Sequence, residues 1–150
     1  MTDDGRLASL AERYGAAWNA HDLDAIMALH TERTTFRLHL LGAPDVVGRD
    51  AVRAAFAGLL GVWPDIHFRP ERLSFGAGLV VHQCVISGTL AAPMPFGAWV
   101  AQPTGERIQF TGVDVITVAD GLVHRKDTYL DIAAAQHQLG LFDEPAAAAG

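Results

Sequence analysis

The stretch Arg107–Asp131 carries the most informative pattern of apolar and polar positions in the chain. Two β-rich runs are joined by Ala119-Asp120-Gly121, whose Asp and Gly suit a tight hairpin turn. Side chains alternate between the two faces of a strand, so one face of the first run is apolar except for Asp114. An ionisable group on such a face must be paired, held protonated or used in a cavity. Asp114 is therefore the first candidate functional residue.

Apolar residues at three- and four-residue spacing predict four helices. The first carries Tyr14 and Trp18 one turn apart on its apolar stripe, and Asp22 is expected to cap the second. The predicted helices run from Asp3 or Asp4 to about Ala20, from Leu23 to about His30, from Arg49 to about Gly61, and from Asp131 to about Phe142. Residues 144–150 form an alanine-rich tail that we expect to be frayed.

Three further strands are predicted ahead of the hairpin, at about Thr34–Leu41, Ile66–Phe75 and Leu79–Leu90. Pro70 interrupts the second of these, which should therefore be an edge or bulged strand. The segment Ala91–Gly105 is rich in proline and glycine and predicts a loop with exposed apolar groups (Met94, Phe96 and Trp99), either a lid or part of an interface. Helices followed by antiparallel strands indicate an α+β layer. A strongly curved sheet around the helices leaves a pocket against the first helix.

Composition narrows the class of protein. The length of 150 residues suits a single domain over 1–150, with about 143–150 as a tail, and the net charge of −6 argues against a nucleic-acid partner. No signal peptide is expected, because the chain opens with Thr2-Asp3-Asp4, and no apolar run is long enough to predict a membrane span. One cysteine, Cys84, fits a reducing compartment, so a cytoplasmic protein is expected. The seven histidines show no metal-ligand spacing, and we expect neither a metal nor a cofactor.

With these elements in order, the chain resembles the nuclear-transport-factor-2-like superfamily, in the branch of SnoaL-like polyketide cyclases and ketosteroid isomerases. The resemblance runs from about Arg6 to Phe142. It rests on the phrases ERYGAAWNAHDLDAIMALH, GRDAVRAAF, WPDIHF, VISGT, PTGERIQFTGVDVITVADGLV and YLDIAAAQHQLGL. It implies a cone-shaped fold with helices packed on a curved antiparallel sheet that encloses an apolar pocket. This fold hosts isomerases, cyclases, epoxide hydrolases, dehydratases and non-catalytic proteins.

Carried over residue by residue, the resemblance implies an oxyanion site. Tyr14 and Asp114 match the tyrosine and the neutral aspartic acid that donate hydrogen bonds to the forming enolate in ketosteroid isomerases. Leu38 stands where that family has its base, and Thr128 where the cyclases and the limonene-type epoxide hydrolases have an aspartate. The usual general-base carboxylates are therefore absent. His82, on the strand expected beside Asp114, is the best remaining base.

Other residues on inward faces are expected to bind substrate, although each of them could simply be core. This expected pocket lining consists of Trp18, Phe36, Leu38, Phe56, Leu60, Trp63, Cys84, Ile86, Ile116 and Thr128. Cys84 is expected to be a buried apolar filler and not a nucleophile. The run Arg125-Lys126-Asp127 is interpreted as a solvated strand face or part of a dimer contact.

Three classes of function stay open at this point. The first is an enzyme that enolises, isomerises or cyclises a hydrophobic cyclic or polyketide-like substrate through Tyr14, Asp114 and His82. The second is a non-catalytic dimer that binds a hydrophobic ligand, and the third is a cofactor-free epoxide hydrolase or dehydratase. The outer face of the hairpin carries Val113, Val115 and Thr117, which predicts a homodimer packed sheet to sheet.

Overall fold

The computed structural model describes residues 3–142, which contain four helices and eight strands. The helices are α1 (Asp3–Asn19), α2 (Leu23–Ala28), α3 (Arg49–Val62) and α4 (Ile132–Gln138). The strands are β1 (His30–Leu38), β2 (Val46–Val47), β3 (His67–Gly76), β4 (Leu79–Thr89), β5 (Met94–Phe96), β6 (Trp99–Ala101), β7 (Arg107–Ala119) and β8 (Leu122–Leu130). The predicted tail lies outside the described residues.

Six strands form one curved sheet in the order β2-β1-β8-β7-β4-β3, and the helices pack on it. This confirms the predicted α+β cone. All neighbouring strands are antiparallel, as expected, except β1 and β8, which run parallel. The two strands are separated by most of the chain, and no hairpin constrains their relative direction.

The β7–β8 hairpin forms as its sequence predicts. Asp120 and Gly121 both have positive φ, 53° and 73°, which is the conformation of a two-residue type I′ turn. Burial then alternates along β7, with Ile108, Phe110 and Asp114 turned inward. The register pairs Asp114 with Thr128 on β8 and with His82 on β4. The hairpin thus sets the inward-facing groups of three neighbouring strands side by side.

Strand β3 confirms the effect predicted for Pro70. It lies at the edge of the sheet, and its pairing with β4 shifts between Pro70 and Arg72. Proline cannot donate a backbone hydrogen bond, so an edge position with a bulge is where a strand tolerates it. The strand hydrogen-bonds α1 through the side chain of Asn19, which both donates to and accepts from the backbone of Phe68.

Several segments differ from the sequence prediction, among them helix α4, which ends at Gln138 and not near Phe142. Helix α2 ends at Ala28, two residues before the predicted end, because His30 opens β1 and is buried against α1. The segment 91–105 is not a loop throughout, since β5 and β6 pair within it as a short hairpin. Phe96 is buried in the core and Trp99 is 60% exposed, so the exposed apolar groups predicted there are only partly found.

The core falls into two clusters, and both contain residues that line a cavity described below. One cluster joins α1, α2 and α3 to the sheet and includes the fully buried Phe56. The other joins α4 and the β5–β6 hairpin to the sheet and includes the buried Phe96. Phe68 packs against both clusters. None of the helices within 3–142 is long and apolar enough to cross a membrane.

His30 links the first helix to the first strand, next to the Phe56 ring. Its Nε2 lies 2.9 Å from the Tyr14 hydroxyl, and its Nδ1 lies 2.7 Å from the Thr34 hydroxyl. Burial, together with the positive charges of Lys126 and Arg49, lowers the pKa of His30 to about 3. The imidazole therefore stays neutral around neutral pH, and both of its nitrogens are used inside the fold.

The titration of His30 generates a prediction about stability. In the unfolded chain this histidine protonates near pH 6.5, whereas in the folded protein it does so only near pH 3. We expect the contribution of His30 to the free energy of unfolding to be fully present above pH 6.5. Between pH 6.5 and about pH 3, the free energy of unfolding should fall by up to about 1.4 kcal/mol per pH unit as the pH drops. Urea unfolding in steps from about pH 7.5 to pH 4 measures this slope.

His30→Gln should flatten the slope, while the control His67→Gln, at an exposed position on β3, should leave the slope unchanged. An unchanged slope in His30→Gln would contradict the assignment.

Candidate functional site

A cavity with a volume of about 70 Å³ lies between the sheet, helices α1 and α3, and the β5 and α4 segments. We call it the central cavity. Most of its wall is apolar, and Asp114, Lys126 and Cys84 are the only residues in this lining whose side chains can carry a charge. The lining consists of Trp18, Phe36, Leu38, Leu59, Trp63, Ile66, Phe68, Cys84, Ile86, Met94, Phe96, Phe110, Gly112, Val113, Asp114, Lys126, Thr128, Leu130, Ile132 and Ala135.

Asp114 is held by two side chains of the neighbouring strand β8. The Thr128 hydroxyl donates a hydrogen bond of 2.5 Å to Oδ1, and Lys126 Nζ lies 3.6 Å from Oδ2. Lys126 and Thr128 are two residues apart, so strand alternation places both on the inner face. Asp114 is 7% exposed and Lys126 is 5% exposed, which makes this a buried ion pair beside an apolar cavity.

The ammonium group of Lys126 is surrounded by aromatic rings. Nζ lies 4.5 Å from the ring centre of Trp18, 5.3 Å from that of Tyr14 and 5.5 Å from that of Phe56. These distances allow cation–π attraction, which is strongest where water is excluded. Burial by itself lowers the pKa of Lys126, but the negative charge of Asp114 and the nearby Tyr14 raise it above its ordinary value. Lys126 is therefore a cation at the cavity wall.

Tyr14 is not in the wall of the central cavity. Its hydroxyl is hydrogen-bonded to His30 at 2.9 Å, and burial raises its pKa although the charge of Lys126 opposes this. The Tyr14 hydroxyl is therefore absent from the central cavity, and Tyr14 and Asp114 share only the lining of the second cavity described next. Asp114 also has a cationic partner, unlike the neutral acid that the resemblance implied.

A second cavity of about 30 Å³ lies on the other side of the ion pair, between α1 and the sheet. Its lining includes Tyr14 and His82, and it shares Trp18, Phe68, Asp114 and Lys126 with the central cavity. Burial and the charge of Lys126 lower the pKa of His82, while Asp114 opposes the shift. His82 is half-buried and neutral around neutral pH, so it can accept a proton on this side of Asp114.

The structure places the other predicted pocket residues in three groups. Those in the wall of the central cavity are Trp18, Phe36, Leu38, Trp63, Cys84, Ile86 and Thr128. Ile116 lines the second cavity instead. Phe56 and Leu60, which were also expected there, line neither cavity. Phe56 is fully buried with its ring against Trp18, Phe36 and His30, so it packs behind the wall.

Cys84 lies in the cavity wall as an apolar filler. Its thiol donates a weak hydrogen bond of 3.7 Å to the backbone oxygen of Gly112. Burial and the negative charge of Asp114 raise the pKa of Cys84 to about 12. The thiolate is therefore scarce near neutral pH, which agrees with the prediction that Cys84 is not a nucleophile.

Lys126 is a candidate site residue that sequence reasoning missed. The run Arg125-Lys126-Asp127 was interpreted as solvated, but only its two outer members are on the outer face. Arg125 bonds Asp127 and Asp45 there, while Lys126 points inward to Asp114. The signal was present in the alternation of β8, because Thr128 had been placed inside and Lys126 shares its face.

Within residues 3–142, no three His, Cys, Asp or Glu side chains are grouped so that they could hold a metal ion.

Comparison with known structures shows that the fold is shared. A candidate SnoaL-like polyketide cyclase from Jannaschia sp. CCS1 is 21% identical with a TM-score of 0.80, covering 94% of this chain and 94% of that one. A candidate polyketide cyclase from Xanthomonas campestris pv. campestris is 20% identical with a TM-score of 0.80, covering 92% and 99%. AclR, a candidate hydroxylase from Streptomyces galilaeus, is 21% identical with a TM-score of 0.77, covering 96% and 86%.

No curated protein matches the sequence significantly. A family model does match, over residues 11–126, which is more than half of the chain, and the matched region contains Asp114 and Lys126. The chain therefore belongs to the SnoaL-like domain family.

Proposed function

We propose that this protein is an enzyme that enolises a hydrophobic cyclic or polyketide-like ketone and so isomerises or cyclises it. In this proposal Asp114 is the general base and Lys126 stabilises the enolate. The observation that carries the proposal is the buried Asp114–Lys126 pair at the wall of an apolar cavity. Family membership supports an enzyme of the small-molecule type, and two of the similar structures are candidate polyketide cyclases.

The two oxygens of Asp114 are held differently, which suits a base. Oδ1 accepts a short hydrogen bond from Thr128, which fixes the orientation of the carboxylate. Oδ2 faces Lys126 Nζ at 3.6 Å, beyond the usual length of a hydrogen bond. That oxygen therefore keeps a lone pair for a proton from carbon. In the central cavity it has little competition from water, because the wall is apolar.

Proton transfer would change which anion Lys126 neutralises. Before the reaction, the ammonium balances the Asp114 carboxylate. Once Asp114 takes a proton from the carbon beside the ketone, the negative charge lies on the enolate oxygen, and the same ammonium is available to it. The number of charges in the site does not change, and in a dry cavity such a fixed cation is worth far more than in water. This division of roles replaces the one expected from the sequence, in which Asp114 was a neutral donor and His82 the base.

The cavity walls support a flat, apolar substrate. Trp18, Trp63 and Phe110 lie in the lining, and the rings of Trp63 and Phe110 pack in a T-shaped arrangement. Broad aromatic faces of this kind bury ring systems well. His82 is a candidate for returning the proton to the substrate. It lines the second cavity together with Asp114, and the two residues are paired across β4 and β7. Tyr14 would act on the site only indirectly, through its ring contact with Lys126.

A non-catalytic hydrophobic-ligand-binding dimer is the alternative that the same cavity allows. Its support is that Asp114 is already neutralised by Lys126 and that the rest of the wall is apolar. Such a protein would bind ketones and leave their carbon-bound protons in place. The hydrolase or dehydratase alternative has less support, because Thr128 stands where the resemblance places the aspartate of limonene-type epoxide hydrolases.

The proposal predicts proton exchange before any product is known. Incubated in D₂O with flat cyclic ketones such as tetralones, the protein should speed deuterium uptake at the carbon beside the carbonyl, followed by mass spectrometry. Asp114→Asn should lower the catalysed rate by about 10²–10⁴-fold, the usual contribution of a general base. Lys126→Met should lower it by roughly 10²-fold, because the enolate loses its cation.

The matched control for these variants is Tyr129→Phe, since Tyr129 is on the outer face of β8 and stacks on His39 at 4.1 Å. It should exchange at the wild-type rate. Ketone binding that saturates without any catalysed exchange would favour the binding protein. Exchange that persists in Asp114→Asn would show that another group is the base.

We also propose a cytoplasmic homodimer, packed through the outer face of the sheet. Support comes from Val113, Val115 and Thr117, which are spaced two residues apart and so share this face. Tyr129 lies beside them and is 47% exposed. Light scattering at micromolar concentration should give about twice the 16.0 kDa mass of the chain. Val115→Glu should shift this mass toward the monomer, because each dimer would then bury two extra carboxylates. A monomeric mass for the unmodified protein would contradict the proposal.

A further inference from the structure

An apolar groove with a volume of about 510 Å³ opens on the surface beside the central cavity. We call it the surface groove. Its walls come from helix α3, from the end of β1 with the residues that follow it, and from β5 with the turn after it. None of the residues lining the groove carries a charged side chain. The groove therefore suits a hydrocarbon surface and offers nothing to an ionic group.

The surface groove and the central cavity meet at three residues. Leu38, Leu59 and Met94 belong to the lining of both. The same side chains thus form the outer wall of the cavity and the inner end of the groove. Met94 is unbranched and adaptable, so a small rotation of its side chain is enough to widen the passage. A ligand that enters the cavity would have an apolar path out of it.

The margin of the groove shows a feature that packing does not explain. Leu41 lies at its edge with 67% of its surface exposed. Its backbone has a φ of 51°, in the left-handed region that a leucine rarely adopts. An exposed leucine in an unfavourable backbone conformation is a cost to the folded protein, and such costs concentrate where ligands bind.

We propose that the surface groove is a second subsite, which binds the apolar arm of an elongated substrate whose carbonyl-bearing ring occupies the central cavity. This rests on the proposed function for the position of the ring, and it adds the shape of the substrate. The small volume of the cavity supports it, since about 70 Å³ holds the reacting part of a molecule and not a large polycycle or polyketide. The substrate class is therefore a carbonyl compound with a long uncharged arm, either a chain or further fused rings.

Two glycines of α3 allow a matched test. Gly58 lines the groove and Gly61 does not, and both are exposed on the same helix. A Cβ atom added at either position would meet no other atom within 4 Å, so both accept a larger side chain. Leucine also favours a helix over glycine, so neither Gly58→Leu nor Gly61→Leu should weaken the fold. Only Gly58→Leu fills the groove.

The experiment uses 4-alkylphenols with arms from methyl to heptyl, whose phenol ring mimics a flat enolate. Calorimetric titration gives the dissociation constant of each compound for the unmodified protein and for the two variants. In the unmodified protein, affinity should rise by up to about fourfold per methylene once the arm reaches the groove. Gly61→Leu should reproduce this series. Gly58→Leu should bind 4-methylphenol equally well but lose at least about tenfold in affinity for 4-heptylphenol.

Other results would overturn the proposal. The groove would not be the arm's site if affinity failed to rise with arm length, or if Gly58→Leu and Gly61→Leu gave parallel series. A changed oligomeric mass in Gly58→Leu with an unchanged series would assign the groove to a second copy of the chain. The deuterium-exchange assay shows whether a failure concerns the subsite or the proposed catalysis. Loss of the arm effect with exchange intact removes only the subsite, and an intact arm effect without exchange removes only the catalysis.

Discussion

The ion pair between Asp114 and Lys126 is the interaction on which the rest of this site depends. Two opposite charges, each less than a tenth exposed, are held in an apolar interior. Removing either partner would leave an uncompensated buried charge, so the fold has to supply both. The cation–π contacts with Trp18, Tyr14 and Phe56 replace part of the hydration that the Lys126 ammonium group loses on burial. Helix α1 and the β7–β8 hairpin are thereby tied to one chemical centre.

The same pair divides the interior into two cavities with different chemistry. On the side of the central cavity the walls are hydrocarbon and aromatic, and Asp114 faces space for a substrate. On the other side are His82 and Tyr14, and through His30 the polar contacts continue to Thr34. A carboxylate between an apolar compartment and a polar one can receive a proton from one and release it toward the other. The register of β4, β7 and β8, which sets His82, Asp114 and Thr128 side by side, fixes this arrangement.

How much could be predicted from the sequence depends on how local each signal is. The type I′ turn, the inward face of β7, the edge position of β3 and the helix capped by Asp22 follow from spacing and turn chemistry, and the structure has all of them. Lys126 was missed because three consecutive charged residues were treated as one solvated unit, although alternation separates the middle one from its neighbours. The bond from Tyr14 to His30 was beyond sequence reasoning, since it depends on how α1 meets β1. The parallel pairing of β1 with β8 was likewise a matter of tertiary contact.

In the proposed reaction, Lys126 changes its partner from Asp114 to the enolate when Asp114 becomes neutral. Asp114→Asn imitates that neutral state, and 2-naphthol imitates the enolate while reporting its own ionisation through its absorption spectrum. A titration of 2-naphthol into the unmodified protein and into Asp114→Asn therefore tests the claim most directly. We expect the variant to bind naphtholate roughly tenfold more tightly, since the buried cation has lost its carboxylate and is free to pair with another anion. Equal or weaker binding by Asp114→Asn, with the naphthol un-ionised in both proteins, would show that Lys126 does not change its partner.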